Sequence, residues 1–167
     1  MKPAAFSLAL LLGLALPAWA AEPIIVTSPW LRATPKGATV AGGYATITNN
    51  GATPDRLVGA SLELAQRGEI HEMSMTGSVM HMRRLDQGLA IPPGATVTLS
   101  PGGTHIMFFN PKAQLREGQH VAGSLTFAKA GTVSVTFAVA GLAVRAAPGT
   151  ASEPEGGMPG MKMDSMH

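Results

Sequence analysis

From Val121 to Phe137 the chain reads Val-Ala-Gly-Ser-Leu-Thr-Phe-Ala-Lys-Ala-Gly-Thr-Val-Ser-Val-Thr-Phe. Within it, Val121 to Phe127 and Val133 to Phe137 alternate apolar with small or polar side chains, the two-residue period of half-buried strands. Ala130-Gly131 supplies the turn between them, because glycine takes a positive φ without strain. Working outward, Thr96-Val97-Thr98-Leu99 alternates in the same way, and turn clusters recur at Asn49-Asn50-Gly51, Pro92-Pro93-Gly94 and Pro101-Gly102-Gly103. No segment from Ile24 to Val139 carries a long helical period. The expectation is therefore an all-β chain, with seven or more short strands forming an antiparallel β-sandwich.

The 167 residues suit one modest domain, and a net charge of +2 is too small to argue for nucleic acid. The first twenty residues hold Lys2, an apolar run from Ala4 to Leu16 and the small-x-small triplet Ala18-Trp19-Ala20, the pattern of a secretory signal peptide cleaved after Ala20. That run is shorter than a membrane helix and no second one follows, so no membrane span is expected in the mature protein. Residues 21–145 then make the folded domain. Residues 146–167, rich in Pro, Gly, Ser and Glu before a Met/His cluster, are expected to be a disordered, flexible tail. There is no cysteine, which excludes disulfides, thiolate nucleophiles, Cys-type zinc sites and blue-copper centres, and leaves no residue for a lipoprotein anchor.

Methionine is the outlier, with ten residues against five Phe, two Trp and one Tyr. One concentration runs from His71 through Met73, Met75, Met80 and His81 to Met82. Another is His105-Ile106-Met107, and a third is Met158, Met161, Met163, Met166 and His167 in the tail. A hairpin with Thr76-Gly77 at its tip would set His71 opposite Met82 and Met73 opposite Met80. On a strand, His105 and Met107 share one face while Ile106 and Phe108 take the other, where they suit the core. His71, Met82, His105 and Met107 would then form a nitrogen–sulfur set. Neutral, polarizable thioethers favour Cu(I) over harder ions, and in an oxidising compartment they avoid the disulfide chemistry open to thiolates. Met73, Met75 and Met80 serve equally as core fillers or as further ligands, and His81 and His120 have no partner at ligand spacing.

At these residues the chain resembles the PCu(A)C family of periplasmic copper chaperones. The family motif is a His, ten residues, a Met, about twenty-one residues and His-x-Met; here ten residues separate His71 from Met82 and twenty-two separate Met82 from His105. The extra residue falls across the loop-forming segments Pro92-Pro93-Gly94 and Pro101-Gly102-Gly103. Pro29 to Pro35, Gly43 to Asn49, Asp55 to Ala60, Leu99 to Met107 and Leu125 to Val133 are similar to family segments as well. The resemblance implies a cupredoxin-like β-sandwich whose His71, Met82, His105 and Met107 bind one Cu(I). It implies periplasmic copper delivery, with the CuA subunit of cytochrome c oxidase or another periplasmic copper protein as partner. It further implies that Met158, Met161, Met163, Met166 and His167 of the tail take additional copper, including Cu(II).

A periplasmic copper buffer or resistance protein that sequesters metal through the tail is the alternative function. A purely structural sandwich is a third. An enzyme is not expected, since no Ser/His/Asp or paired-carboxylate arrangement stands out.

Overall fold

A computed structural model describes residues 23–147. They form ten strands: β1 (Ile24–Arg32), β2 (Val40–Asn49), β3 (Asp55–Leu62), β4 (Arg67–Thr76), β5 (Val79–Arg84), β6 (Leu89–Ile91), β7 (Thr96–Leu99), β8 (His105–Phe109), β9 (His120–Phe127) and β10 (Gly131–Ala140). The all-β expectation holds, and the alternating segment that announces it becomes β9 and β10, paired antiparallel from Gly131 opposite Phe127 to Ala138 opposite His120. Gly131 takes a φ of 78° where that hairpin reverses. The expected signal peptide, residues 1–20, and the expected tail ligands Met158, Met161, Met163, Met166 and His167 lie outside the described residues.

Seven strands pair in the order β4-β8-β2-β1-β10-β9-β3, and a contact between Ala60 of β3 and Gly68 of β4 returns the sheet to its start. The result is a closed sandwich with β5 added outside β4, β6 outside β3, and β7 beside the second half of β2. Closure depends on Gly68, because a Cβ there would meet the Ala60 carbonyl oxygen and the Phe108 ring. One pairing departs from the antiparallel expectation: β1 and β10 run parallel, from Trp30 beside Ala138 to Arg32 beside Ala140. The first and last strands meet there, so the rest of the domain serves as the crossover that parallel neighbours require.

The interior is apolar. Leu31, Ile47, Leu57, Ile91, Ile106, Phe108, Leu115, Leu125 and Phe137 are wholly buried, and the Phe108 and Phe137 rings meet edge to face at 5.7 Å. Asp55, at the start of β3, is the main buried carboxylate. It accepts backbone N–H bonds from Arg56, Lys129 and Ala130 at 2.7–2.9 Å, tying β3 to the β9–β10 turn. Burial pushes its carboxyl up, but those three donors and the Lys129 charge outweigh it and hold the pKa below the ordinary value.

Candidate metal centre

Strand parity decides which side chains share the outer face of β5, β4 and β8. On β8, Ile106 and Phe108 turn inward and are fully buried, which leaves His105 and Met107 on the outer face as expected from their spacing. The register of β8 with β4 places His105 directly opposite His71, Met107 opposite Glu69 and Phe109 opposite Arg67. The two imidazole centres stand 6.2 Å apart. An imidazole bound to a metal at about 2 Å has its centre about 3 Å from the ion, so two that share one ion stand about 5–6 Å apart.

The β4–β5 hairpin corrects the expected pairing by one step. His71 faces Arg84 rather than Met82, Met73 faces Met82 rather than Met80, and Met75 faces Met80. The turn therefore centres on Gly77-Ser78 and not on Thr76-Gly77. Gly77 has a φ of 62° while Ser78 is not among the positive-φ residues, the pattern of a two-residue turn with glycine at its first central position. Centring the turn on Thr76-Gly77 would put β-branched Thr76 in that first position, where a positive φ is costly. The shift leaves parity unchanged, so Met82 stays on the face of His71, now as its diagonal neighbour, about 7–8 Å away along the backbone.

Each histidine presents one ring nitrogen. His105 Nδ1 lies 2.9 Å from the Gly103 carbonyl oxygen; a carbonyl only accepts, so Nδ1 carries the hydrogen and Nε2 keeps its lone pair. His71 Nε2 lies 3.0 Å from Glu69 Oε2. Hydrogen bonding from His71, then from Arg67, holds the Glu69 carboxyl below its usual pKa against a modest burial cost, with the Arg84 and Arg67 charges adding to it. An ionised carboxylate only accepts, so His71 Nε2 is the donor, and in the neutral imidazole Nδ1 then holds the free lone pair. That atom is buried without a hydrogen-bond partner among the described residues. A buried polar atom left unpaired is costly unless a ligand takes it, and a metal ligand whose other nitrogen donates to a carboxylate is the usual arrangement for a bound imidazole.

Glu69 is fixed in turn by Arg67 Nε at 2.9 Å and Arg84 at 3.4 Å. The Arg67 guanidinium lies over the Phe109 ring at 4.2 Å, and Phe109 also borders His71, with ring centres 6.3 Å apart. Both histidines are only 9% exposed, although they lie on the outer face of the sheet. The reading from spacing alone missed Glu69 and the Gly103 carbonyl. Glu69 was available in principle, since a residue two before His71 on a strand shares its face.

A family model described as "Putative lipoprotein LpqE-like" matches residues 24–139. The chain belongs to the LpqE-like, or PCuAC, family. Among solved structures, the apo PCuAC domain of PmoF1 is 33% identical, with 71% of this chain and 94% of that one covered at a TM-score of 0.60. The copper-bound PCuAC domain of PmoF2 is 30% identical, covering 74% of this chain and 97% of that one at 0.62. The Cu(I) form of DR1885 from Deinococcus radiodurans is 28% identical, covering 74% and 81% at 0.56. A lipoprotein-named relative, "Putative lipoprotein Lxx21020" of Leifsonia xyli subsp. xyli, is 34% identical over 71% of this chain and 70% of its own length.

In this PCuAC chain, His71, His105 and Met107 lie on two adjacent strands, and Met82 joins them from β5 with half its surface exposed. Met73 is half-buried beside them, whereas Met75 and Met80 sit farther out and are 61% and 56% exposed. His81 faces Ser74 on the opposite side of the hairpin, and His120 begins β9 beside Ala138. Neither is brought to the His71–His105 pair. Beyond Met107 the same outer face continues through Gly42, Tyr44 and Trp30. The two aromatic rings stack at 4.3 Å and are covered by Val144 and Ala147, so the chain beyond β10 folds back over this face.

Proposed function

We propose that this chain is an exported, non-enzymatic carrier of Cu(I) that holds one ion with His71, Met82, His105 and Met107 and hands it to a periplasmic copper protein, the CuA subunit of cytochrome c oxidase. The observation that carries the reading is the His71–His105 pair. Its two rings face each other at 6.2 Å, each is anchored through one nitrogen, and the free nitrogen of His71 is buried and unpartnered. Thioethers of Met107 and Met82 on the same face add soft, uncharged donors suited to Cu(I). The copper-bound forms of PmoF2 and DR1885 support copper as the cargo.

Release follows from unequal exposure. Met82 is half-exposed while the imidazoles are buried, so an incoming ligand displaces Met82 first and the histidines last. Copper stays Cu(I) throughout, and ligand exchange needs no acid, base or nucleophile. Export rests on residues 1–20 as a signal peptide, with the mature chain starting at Ala21. The tail methionines and His167 hold extra copper, Cu(II) included, on this reading.

Competition of the mature protein against a chromogenic Cu(I) chelator tests it. Wild type should bind one equivalent tightly at the domain. His71→Ala and His105→Ala should each cost more than the roughly 10–100-fold that an outer-shell change costs. Undiminished affinity in both variants would refute the assignment.

A further inference from the structure

Resting on the Cu(I) reading of the centre above, we propose that Met75 and Met80, backed by Met73, form a second, weaker Cu(I) site at the hairpin tip through which the ion enters and leaves the histidine centre.

The register supplies the geometry. Met75 faces Met80, and Met73 faces Met82 one pair farther in, all on the face that carries His71. In a hairpin closed by a two-residue turn, the pair next to the turn, Thr76 with Val79, is hydrogen-bonded. Alternation then makes Met75–Met80 and Met73–Met82 non-hydrogen-bonded pairs, the closer kind, with Cβ atoms about 4.5–5.5 Å apart. Two thioethers at that separation reach one ion between them. Successive pairs on one face lie about 7 Å apart along the strand, so the ladder spans tip to centre in two steps.

Packing does not account for these residues. Met75, Met80 and Met82 are 61%, 56% and 50% exposed, and among the described residues β5 pairs only with β4, leaving all six of its residues exposed. Exposed strand positions ordinarily carry β-branched or polar side chains, and a contiguous exposed apolar patch marks a contact or binding site. Exposure also falls in order from Met75 through Met82 to Met73 and the buried His71. That is the order in which an ion would trade solvent for fixed ligands. Thioethers bind without losing a proton, so a step between pairs is pure ligand exchange: one sulfur joins Cu(I) as another leaves, with no electron or proton moved.

The test is an anaerobic Cu(I) titration of the full mature chain labelled at the methionine methyl carbons, followed by NMR, which separates hairpin from tail residues. The first equivalent should move the Met82 and Met107 methyls, and the second should move Met75 and Met80 in faster exchange. The M75L/M80L double variant keeps apolar volume. It should bind the first equivalent as wild type does, yet release Cu(I) to a chelator about tenfold more slowly, having lost the low-barrier exit. A second equivalent that moves only Met158, Met161, Met163 and Met166, or a double variant that unloads as fast as wild type, would overturn the proposal. A first equivalent that moves Met75 and Met80 while Met82 and Met107 stay still would instead refute the histidine centre and leave the tip as the site.

Discussion

Glu69→Gln isolates the role of the charged acceptor behind His71. In the wild type, Glu69 takes hydrogen bonds from His71 Nε2 at 3.0 Å and Arg67 Nε at 2.9 Å, with Arg84 at 3.4 Å. Glutamine keeps the shape, but it replaces one carboxylate oxygen with an NH2 group that faces either the imidazole or the guanidinium. The tautomer that frees His71 Nδ1 then loses its charged partner. Partners of this kind are worth about 10–100-fold in metal affinity, or about 1.4–2.7 kcal/mol. Cu(I) affinity should fall by that factor in chelator competition while far-ultraviolet circular dichroism stays unchanged. Glu72→Gln is the control, because Glu72 pairs with Arg83 at 2.6 Å on the opposite side of the hairpin, and it should bind as wild type. If Glu69→Gln also bound as wild type, His71 Nδ1 would not be a ligand held in place by Glu69, and the reasoning from its tautomer would fail.

Asp55→Asn removes the charge that receives three backbone N–H bonds. It should cost about 2–3 kcal/mol, read as a fall in thermal midpoint of roughly 5–10 °C; a fall under about 2 °C would contradict the anchoring role. Because the folded pKa of Asp55 lies below its unfolded value of about 3.9, its contribution is complete above that pH. It is lost as the pH falls through the lower folded value, so acid titration of stability should show wild type converging on the Asn variant there. Gly68→Ala places a methyl group against the Ala60 carbonyl and Phe108, and denaturant unfolding should show a loss of about 2–3 kcal/mol. An unchanged midpoint would mean that β3 and β4 do not close the sandwich. Phe108→Ala, which empties the centre of the core beside Phe137, should cost about 3–5 kcal/mol by the same assay.

Much of the strand content was legible because burial on a half-exposed sheet writes a two-residue period directly into the chain. Val121, Leu125 and Phe127 point inward in β9, and Ile106 with Phe108 does so in β8, as their spacing predicts. Strand direction and register leave no such mark. Nothing in the alternation of Trp30 to Arg32 or Ala138 to Ala140 says that these segments run parallel. The hairpin register turned on whether Gly77 holds the first or second central position of its turn, a question of two dihedral angles that shifts every partner while preserving the face. Parity survived that shift, which is why His71, Met82, His105 and Met107 still share one outer face. The carbonyl of Gly103 was not legible at all, since every residue but its loop geometry offers the same oxygen. Nor did composition foretell that Val144 and Ala147 pack over Trp30 and Tyr44.

The most direct test of the central claim is Cu(I) binding to residues 21–149, which omit the methionine-rich tail, by chelator competition with X-ray absorption on the loaded protein. One tightly held equivalent is expected, with both nitrogen and sulfur in its first shell and the nitrogen signal lost in the H71A/H105A double variant. No tight binding without the tail, or a shell of sulfur alone, would contradict it.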